Sequence, residues 1–159
     1  MVRDLPQITD LDRRILAVLQ KDASGSMQEL ADSVNSSPAT CWRRLKSLEE
    51  RGVIGTPVRH VTPAAVGLGM DAFVQVRMKS QDSRARAEFQ RAMEVEPAIT
   101  EVYSISGEWD YLLHLLVRDI ADLESILMRH VLEHPNVAGT ATMFVLRRIK
   151  QGTEVPLTA

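Results

Sequence analysis

The stretch SMQELADSVNSSPATCWRRLKSLEERGVIG, residues 26–55, decides the fold of the first part of the chain. Ser26 followed three residues later by Glu29 is the pattern of a capping box, in which a hydroxyl and a carboxylate satisfy free N–H groups of a first helical turn. Apolar residues then recur at helical spacing. We therefore predict a short amphipathic helix with an inward stripe of Met27, Leu30, Ala31 and Val34.

A second helix is predicted to begin after Asn35 and Ser36, which break this spacing. Ser37 is a suitable N-cap, and Pro38 suits the first helical position because its missing N–H costs nothing there. Gly52 is suited to the left-handed conformation that ends many helices. The inward residues of this second helix are predicted to be Cys41, Leu45 and Leu48.

The outward face of the second helix is small and polar at its start and positively charged further along. Two short helices joined by a tight turn, the second with such a face, fit the major groove of double-stranded DNA. Small residues permit close approach, and Arg and Lys bind phosphates or guanine edges. The predicted DNA contacts are Ser36, Ser37, Thr40, Arg43, Arg44, Lys46, Ser47 and, beyond the helix, Arg59. The alternative is an ordinary helical hairpin with a solvated basic face.

Two other side chains of the second helix, one aromatic and one containing sulfur, each have two possible interpretations. Trp42 at the flank suits stacking on a DNA sugar or base, but packing against its neighbour is the favoured interpretation. Cys41, the single cysteine, is interpreted as a small buried hydrophobic residue rather than a redox sensor. A lone cysteine also excludes an internal disulfide framework and fits a reducing compartment.

A further helix is predicted upstream, in ITDLDRRILAVLQKDA, residues 8–23. Thr9 is its N-cap, and Asp10 and Asp12 favour the positive end of the helix dipole. Its predicted inward stripe is Leu11, Ile15, Val18 and Leu19. These residues together with SMQELADSVNSSPATCWRRLKSLEERGVI resemble the winged helix-turn-helix half of the Lrp/AsnC family of bacterial and archaeal transcription factors.

Residues 53–69 predict a change of domain. Two short extended pieces around Thr56 and Pro57 are interpreted as a small wing, and a connector rich in proline and glycine follows. We place the DNA-binding domain at residues 1–60, the linker at 61–69 and a second domain at 70–159.

The second domain is predicted to be α+β, with a ferredoxin-like βαββαβ arrangement. Alternating apolar residues predict a strand from Met70 to Lys79, and EVYSIS (101–106), YLLHLLV (111–117) and VAGTATMFVLRRI (137–149) predict three more. Helices are predicted over 83–95 and 119–134. Their predicted inner faces are Phe89, Ala92, Met93 and Val95 in the first helix, and Ile120, Leu123, Leu127 and Val131 in the second.

The strand YLLHLLV is apolar on both faces, because Leu112 and Leu116 oppose the residues at 111, 113, 115 and 117. Helices cover only one face of such a sheet, so the other apolar face needs a cover. The simplest cover is a second copy, which gives a two-fold homodimer. SISGEWDYLLHLLV, residues 104–117, also resembles the effector-binding and assembly domain of the Lrp/AsnC family, which implies dimers that associate to a tetramer or octamer.

The resemblance implies a pocket for a small amino-acid effector between dimers. Its residues would be Ser104, Gly107 and Asp110 of one hairpin, with Thr140, Thr142 and Met143 from the last strand of a neighbouring subunit. An exposed backbone N–H at Gly107 suits a carboxylate and Asp110 suits an ammonium group. On the residues alone, Gly107 and Asp110 are favoured as ordinary turn residues.

Charge and composition narrow the function classes. The net charge is only −2, yet basic residues are concentrated in the predicted DNA-contacting segment. No signal-peptide pattern or membrane-length apolar run occurs, so we expect a cytoplasmic protein without membrane contact. His130, Glu133 and His134 match the H-x-x-E-H zinc-peptidase pattern, but histidines are common in a last helical turn and we expect no metal.

Three function classes remain, and the sequence favours the first. It is a homo-oligomeric, amino-acid-responsive transcription regulator without a cofactor. The second is a nucleoid-type architectural protein that binds DNA with no response to a ligand. The third, an enzyme, is disfavoured because the sequence has no phosphate-binding glycine loop, CxxC pair or Ser/His/Asp grouping.

Overall fold

The computed structural model describes residues 7–157, which form two compact units. The first unit contains residues 7–59 and 150–157, and the second contains residues 60–149. The division predicted from the sequence places residues 150–159 in the second domain. Residues 150–157 instead pack with the first unit, because Leu157 joins its apolar core.

Three helices build the first unit, as predicted: α1 (Asp10–Leu19), α2 (Met27–Ser33) and α3 (Pro38–Glu50). Thr9 and Ser26 form capping boxes with Asp12 and Glu29, and Ser37 caps α3. The caps fix where each helix begins, so the apolar stripes meet in one core. The fully or nearly fully buried apolar residues of this core are Ile15, Leu16, Leu30, Ala31, Val34, Cys41 and Leu48.

The chain leaves α3 through Gly52, whose φ of +67° confirms the predicted left-handed end of the helix. Val53 donates its N–H to the carbonyl of Leu48, which closes the last turn. Residues 53–62 then belong to no helix or strand, so the two extended pieces predicted around Thr56 and Pro57 do not pair into a hairpin. Proline has no N–H to donate to a strand ladder, which is a physical reason for the difference.

The second unit has the predicted βαββαβ order. Its elements are β1 (Met70–Met78), α4 (Ser83–Glu94), β2 (Ile99–Ser104), β3 (Tyr111–Val117), α5 (Ile120–Ile126), which continues as a π-helical stretch (Leu127–Leu132), and β4 (Val137–Phe144). A short 3-10 turn, Pro63–Val66, precedes them. All strand pairs are antiparallel, and the spatial order is β2-β3-β1-β4.

Alternate residues of the two central strands lie in the core beneath the helices. Buried residues on β1 and β3 pack with Phe89 and Met93 of α4 and with Leu123 of α5. The side chains of Val95 and Ile120 were predicted to face inward but are 76% and 62% exposed. Val95 is the C-cap of α4 and Ile120 is the first residue of α5, so neither lies on the helical stretch that packs against the sheet.

The last strand is shorter than predicted, because it ends at Phe144 rather than Ile149. Its final partner is Ala72, near the start of β1, and Val145 donates one more N–H to the carbonyl of Asp71. Beyond this point β4 has no strand to pair with, and Leu146 and Ile149 are exposed. Among residues 7–157, no helix has the length and apolar character needed to cross a membrane.

Candidate DNA-binding and effector sites

The exposed face of α3 carries the predicted DNA contacts. Cys41 and Leu48 are buried, whereas Arg43 and Lys46, three residues apart on the other side of the helix, are exposed. This geometry leaves two cations available on one helical face. A helix so anchored on one side and basic on the other has the form of a recognition helix.

Trp42 lies beside these cations rather than in the core. Its side chain is 56% exposed, and the Nζ of Lys46 lies 5.2 Å from the centre of the indole ring. This is a cation–π contact within a single helix. The indole therefore lies against a neighbouring side chain of its own helix and keeps more than half of its surface exposed.

The small polar residues at the start of α3 have structural partners. Ser37 Oγ accepts the N–H of Thr40 at 3.2 Å and donates to Thr40 Oγ1 at 2.8 Å. Ser36 donates its backbone N–H to the carbonyl of Ala31 at 2.9 Å. These bonds set the turn between α2 and α3, and Asn35 assists with a φ of +52°. The hydroxyls of Ser37 and Thr40 therefore lie in the first turn of α3.

Arg44 is the predicted DNA contact that the structure turns away from solvent. Its guanidinium forms an ion pair with Asp12 of α1, with Nε 2.8 Å from Oδ1, and it also donates to Thr9 Oγ1 at 3.2 Å. Burial alone would raise the pKa of Asp12, but hydrogen bonds from Arg44 and Thr9 outweigh this effect and lower it to about 2. The pair fastens α3 to α1.

Arg59 and Ser47 complete the predicted DNA set. Arg59 is exposed in the irregular segment after α3, and Ser47 is half-buried on α3. Both stay available as contacts to a phosphate backbone.

The predicted effector residues lie at opposite edges of one sheet. Ser104 of β2 pairs with Tyr111 of β3, Tyr111 with Val76 of β1, and Val76 with Thr140 of β4. Directly paired residues share a face, so Ser104 and Thr140 project to the same side of the sheet. Three strand spacings of about 4.8 Å put them roughly 14 Å apart.

Met143 lies on the other side of the sheet from its two predicted companions. Thr140 and Thr142 pair with Val76 and Val74, which are buried beneath the helices, whereas Met143 pairs with Phe73. Because side chains alternate along a strand, a small ligand on the face of the threonines does not contact Met143 of the same chain. The four predicted residues that lie on strands therefore divide between the two faces, whereas Gly107 and Asp110 lie in the connection between β2 and β3.

Asp110 is engaged inside the hairpin that carries it. Its Oδ2 accepts the backbone N–H of Met78 at 2.7 Å, and its Oδ1 accepts from Nε2 of Gln81 at 2.8 Å. Its own backbone N–H donates to the carbonyl of Val76. These bonds tie the β2–β3 connection to the end of β1. The interpretation of Asp110 as a turn residue explains this geometry, and Gln81 is a partner that the sequence pattern did not indicate.

The tip of the same hairpin is shaped by Gly107, whose φ is +116°. A side chain is strained at this φ, although no atom lies within 4 Å of the place a Cβ would take. Next to it, the guanidinium of Arg77 lies 4.8 Å from the centre of the Trp109 ring and forms an ion pair with Glu108. The backbone at Gly107 is thus exposed, and the contacts of Arg77 with Glu108 and Trp109 hold the residues that follow it.

The sheet face opposite the helices carries both apolar and polar side chains and is not covered by any described element of its unit. We call it the open face; its larger apolar side chains come from Phe73, Tyr103, Leu112, Leu116 and Met143, and its polar ones from Asp71, Gln75, Arg77, Glu101 and His114. At its centre the Phe73 and His114 rings stack with their centres 4.7 Å apart. His114 Nε2 lies 3.1 Å from Asp71 Oδ1, and its Nδ1 lies 2.9 Å from Thr100 Oγ1.

The H-x-x-E-H pattern has partners within the second unit. His130 Nε2 lies 3.0 Å from Glu96 Oε2, and His134 Nδ1 accepts the N–H of Asn136 at 3.3 Å. The His134 ring also meets Phe89 edge to face. Among the residues that the structure describes, no group of three or more potential ligands is arranged to hold a metal.

Comparison with known proteins agrees with this two-unit architecture. Residues 8–54 match the family model of a winged helix-turn-helix DNA-binding domain, and residues 71–155 match that of the Lrp/AsnC ligand-binding domain. The chain is 32% identical over 147 residues to the DNA-binding transcriptional activator DecR of Escherichia coli K12, covering 92% of this chain and 97% of that protein. It is 34% identical over 143 residues to the regulator AldR of Mycolicibacterium smegmatis, covering 90% and 84%.

A solved structure extends the agreement to three dimensions. A transcriptional regulator of Neisseria meningitidis, crystallised as a complex with L-Met, superposes with a TM-score of 0.91 at 32% identity, covering 95% of this chain and 97% of that one. The matched regions include both the helices that build the basic face and the sheet that carries the hairpin. The chain belongs to the Lrp/AsnC family of DNA-binding transcription regulators.

Proposed function

We propose that this chain is a homo-oligomeric regulator whose affinity for double-stranded DNA is set by an amino acid bound between subunits. The observation that carries the proposal is the strand register, in which Ser104 and Thr140 share a face at opposite edges of the sheet. A single chain cannot bring residues roughly 14 Å apart around one small ligand. A second copy can bring the hairpin of one chain to β4 of the other.

The chemistry of this junction suits an amino acid. Exposed backbone at Gly107 offers N–H groups to a carboxylate, and the hydroxyls of Ser104, Thr140 and Thr142 accept from an ammonium group or donate to a carboxylate. Asp110 supports the hairpin in this proposal, because both of its carboxylate oxygens already accept hydrogen bonds. The L-Met complex of the Neisseria meningitidis relative supports an amino acid as the ligand class.

The open face supports the dimer. Leu112, Leu116 and Phe73 are half-buried in the single chain, and Tyr103 and Met143 are exposed beside them. Apolar side chains on an uncovered sheet face are stabilised by burial against a second copy of that face. Association of such dimers to a tetramer or octamer would then place the hairpins against neighbouring β4 strands.

DNA is bound in this proposal by the recognition helix α3 of each subunit. Arg43 and Lys46 supply the positive charge, and Ser36, Ser37, Thr40, Ser47 and Arg59 contact the backbone around them. Two heads on one dimer match two half-sites in DNA, which raises both affinity and specificity. The protein would act in the cytoplasm, the compartment that holds the DNA of bacteria and archaea.

A two-step titration tests the proposal. The twenty L-amino acids are first titrated into the free protein by calorimetry, and the ligand found is then added to complexes with a duplex selected from random DNA. We expect saturable binding of at least one amino acid and a change in DNA affinity of about 5 to 150-fold. Thr140→Val, which keeps the side-chain shape and removes the hydroxyl, should weaken ligand binding without changing ligand-free DNA affinity. If no amino acid binds while DNA binding persists, the ligand-independent architectural function is correct instead.

A further inference from the structure

One side of α1 binds a short stretch from the end of the chain. Arg13, Ala17 and Gln20 recur at helical spacing, so they lie on the same side of this helix. Residues 154–157 lie against that side and line a shared cavity with Ala17 and Gln20. We call residues 154–157 the C-terminal segment. They belong to the first unit, so the contacts between this segment and α1 lie within that unit.

Gln20 recognises the backbone of the C-terminal segment rather than a side chain. Its Oε1 accepts the N–H of Val155 at 2.6 Å, and its Nε2 donates to the carbonyl of Val155 at 3.3 Å. The side-chain amide thus offers one acceptor and one donor, the same pair that a neighbouring residue offers in an antiparallel ladder. The Val155 side chain itself is 64% exposed. We therefore expect the N–H of residue 155 to matter for this contact and the side chain to matter little.

Leu157 is the apolar anchor of the same segment. Its side chain is half-buried and packs against the core of the first unit, whereas residues 154–156 are exposed. Arg13 donates from Nη1 to the carbonyl of Leu157 at 3.2 Å. Residues near a chain end fray unless contacts of this kind hold them. Three hydrogen bonds and one apolar contact therefore hold the C-terminal segment on α1.

The helix that binds this segment also supports the helix that carries the basic face. Ile15 and Leu16 of α1 are buried in the core shared by the three helices, and Asp12 forms the ion pair with Arg44 of α3. A domain of about 60 residues has a small core and is marginally stable. Any contact that stabilises α1 is therefore a substantial part of what keeps α3 folded in place.

We propose that the C-terminal segment is a structural part of the DNA-binding unit, and that its docking on α1 keeps α3 competent to bind DNA. The helix-turn-helix family model ends at residue 54, and the ligand-binding family model extends to residue 155. The proposal thus gives residues beyond the helix-turn-helix match a role in DNA binding. It requires neither an amino-acid effector nor a dimer, so it does not depend on the proposed function.

Two point variants of the full-length protein remove the backbone recognition, and each has a matched control. Val155→Pro removes the N–H that Gln20 accepts, whereas Val155→Ala keeps both backbone groups and shortens an exposed side chain. Gln20→Ala removes both bonds from the side of the helix. Its control is Gln28→Ala, which alters an exposed glutamine of α2 whose bond is local, to Asp32.

The first measurement is the thermal unfolding of the first unit. Trp42 lies in this unit and Trp109 in the other, and they are the two tryptophans of the chain, so Trp42 fluorescence in a Trp109→Phe background reports the first unit. We expect Val155→Pro and Gln20→Ala to lower the midpoint by about 4 to 8 °C. The two controls should lower it by about 2 °C or less. Unchanged midpoints in both segment variants overturn the proposal, as does an equal shift in Val155→Pro and Val155→Ala.

The second measurement compares DNA affinity at two temperatures. Gln20→Ala combined with Leu157→Ala removes the backbone bonds to Val155 and the apolar anchor. At a temperature where its first unit is folded, the double variant should bind a duplex within about 2-fold of Gln28→Ala. Where about nine-tenths of its first units are unfolded, its apparent affinity should be about 10-fold weaker than that of this control.

Equal affinities at the higher temperature overturn the proposal. A loss that is equally large at the lower temperature also overturns it, because the C-terminal segment would then contact DNA itself. If the double variant does not fold, Gln20→Ala and Val155→Pro decide the question through the unfolding midpoints, since both alter positions outside the apolar core.

Discussion

The carboxylate of Asp12, fully buried in α1, accepts a 2.8 Å hydrogen bond from Nε of Arg44 in α3. A second guanidinium nitrogen of Arg44 reaches the other carboxylate oxygen and the hydroxyl of Thr9. The ion pair thus joins the helix that begins the fold to the helix that carries the basic face. Arg44 therefore holds α3, on which its neighbour Arg43 is exposed, against α1.

Substitution of the two adjacent arginines of α3 should affect stability to very different extents. Arg44→Ala leaves a buried carboxylate without its partner, and we expect a loss of about 3 kcal/mol in unfolding free energy. This is the low end for a broken buried pair, because 28% of the Arg44 side chain reaches solvent. Arg43→Ala should change stability by about 0.5 kcal/mol or less. Urea unfolding followed by Trp42 fluorescence, with Trp109→Phe as the background, measures both, and equal losses would contradict this role of Arg44.

Acid should weaken the same pair. The pKa of Asp12 is lowered to about 2 in the folded protein, from an ordinary value of 3.8 that we assign to the unfolded chain. A lowered pKa gives stability that is complete above the unfolded value and is lost as pH falls towards the folded value. Between pH of about 4 and 2 the first unit should lose about 2 kcal/mol from this group. Asp12→Asn should be less stable at neutral pH and lose less across this window, as measured by urea unfolding at each pH. The same pH slope in both proteins would rule out Asp12 as the source.

Much of the fold was predictable because its signals are local. Ser26 with Glu29, Ser37 with Pro38, and Gly52 each act within one helical turn, and all three predictions are confirmed. Periodicity also predicted the order of elements in the second unit. It failed at Val95 and Ile120, because an apolar spacing continues through a helix end while the packing surface does not.

The contacts that sequence analysis missed join residues far apart in the chain. Arg44 and Asp12 are separated by 32 positions, and Gln20 and Val155 by 135. No local pattern marks a cation as an ion-pair partner rather than a DNA contact, since both roles need the same charge. The partners of Asp110, the backbone N–H of Met78 and the side chain of Gln81, lie 32 and 29 positions away, and no sequence pattern indicates them either.

Substitutions of the two exposed cations of α3 should affect DNA affinity in different ways. Arg43→Ala should weaken binding to a selected duplex by about 1 to 3 kcal/mol if Arg43 reads a base edge. Lys46→Ala should weaken all duplexes alike and reduce the salt slope by about one, since a lysine ammonium neutralises a phosphate. Gel-shift titrations at several salt concentrations, on the selected and a scrambled duplex, measure both effects. Unchanged affinity in both folded variants would show that α3 is not the reading helix.

Assembly should depend on the open face. Leu116→Glu places a carboxylate on this face, where burial against a second copy would leave it unpaired, so we expect monomers at micromolar concentration. Leu146→Glu is the control, because Leu146 is exposed in the segment after β4. Sedimentation velocity over a dilution series gives the masses. A wild type that is already monomeric, or a Leu116→Glu variant that assembles normally, would contradict the dimer.

Substitutions in and around the β2–β3 hairpin should show whether the Asp110 carboxylate has a structural role or binds the ligand. Asp110→Ala removes the acceptor of the Met78 N–H, and because Met78 is almost fully buried we expect a loss of about 1 to 3 kcal/mol in stability. Gln81→Ala removes only the second bond, which lies at the surface, and should cost less. Effector binding should weaken in Asp110→Ala because the backbone around Gly107 loses its support, and Thr140→Val should weaken it with no loss of stability. Thermal melting and calorimetric titration of the three variants separate these cases. If Asp110→Ala melts like the wild type yet binds no effector, its carboxylate contacts the ligand directly, as the family resemblance implied.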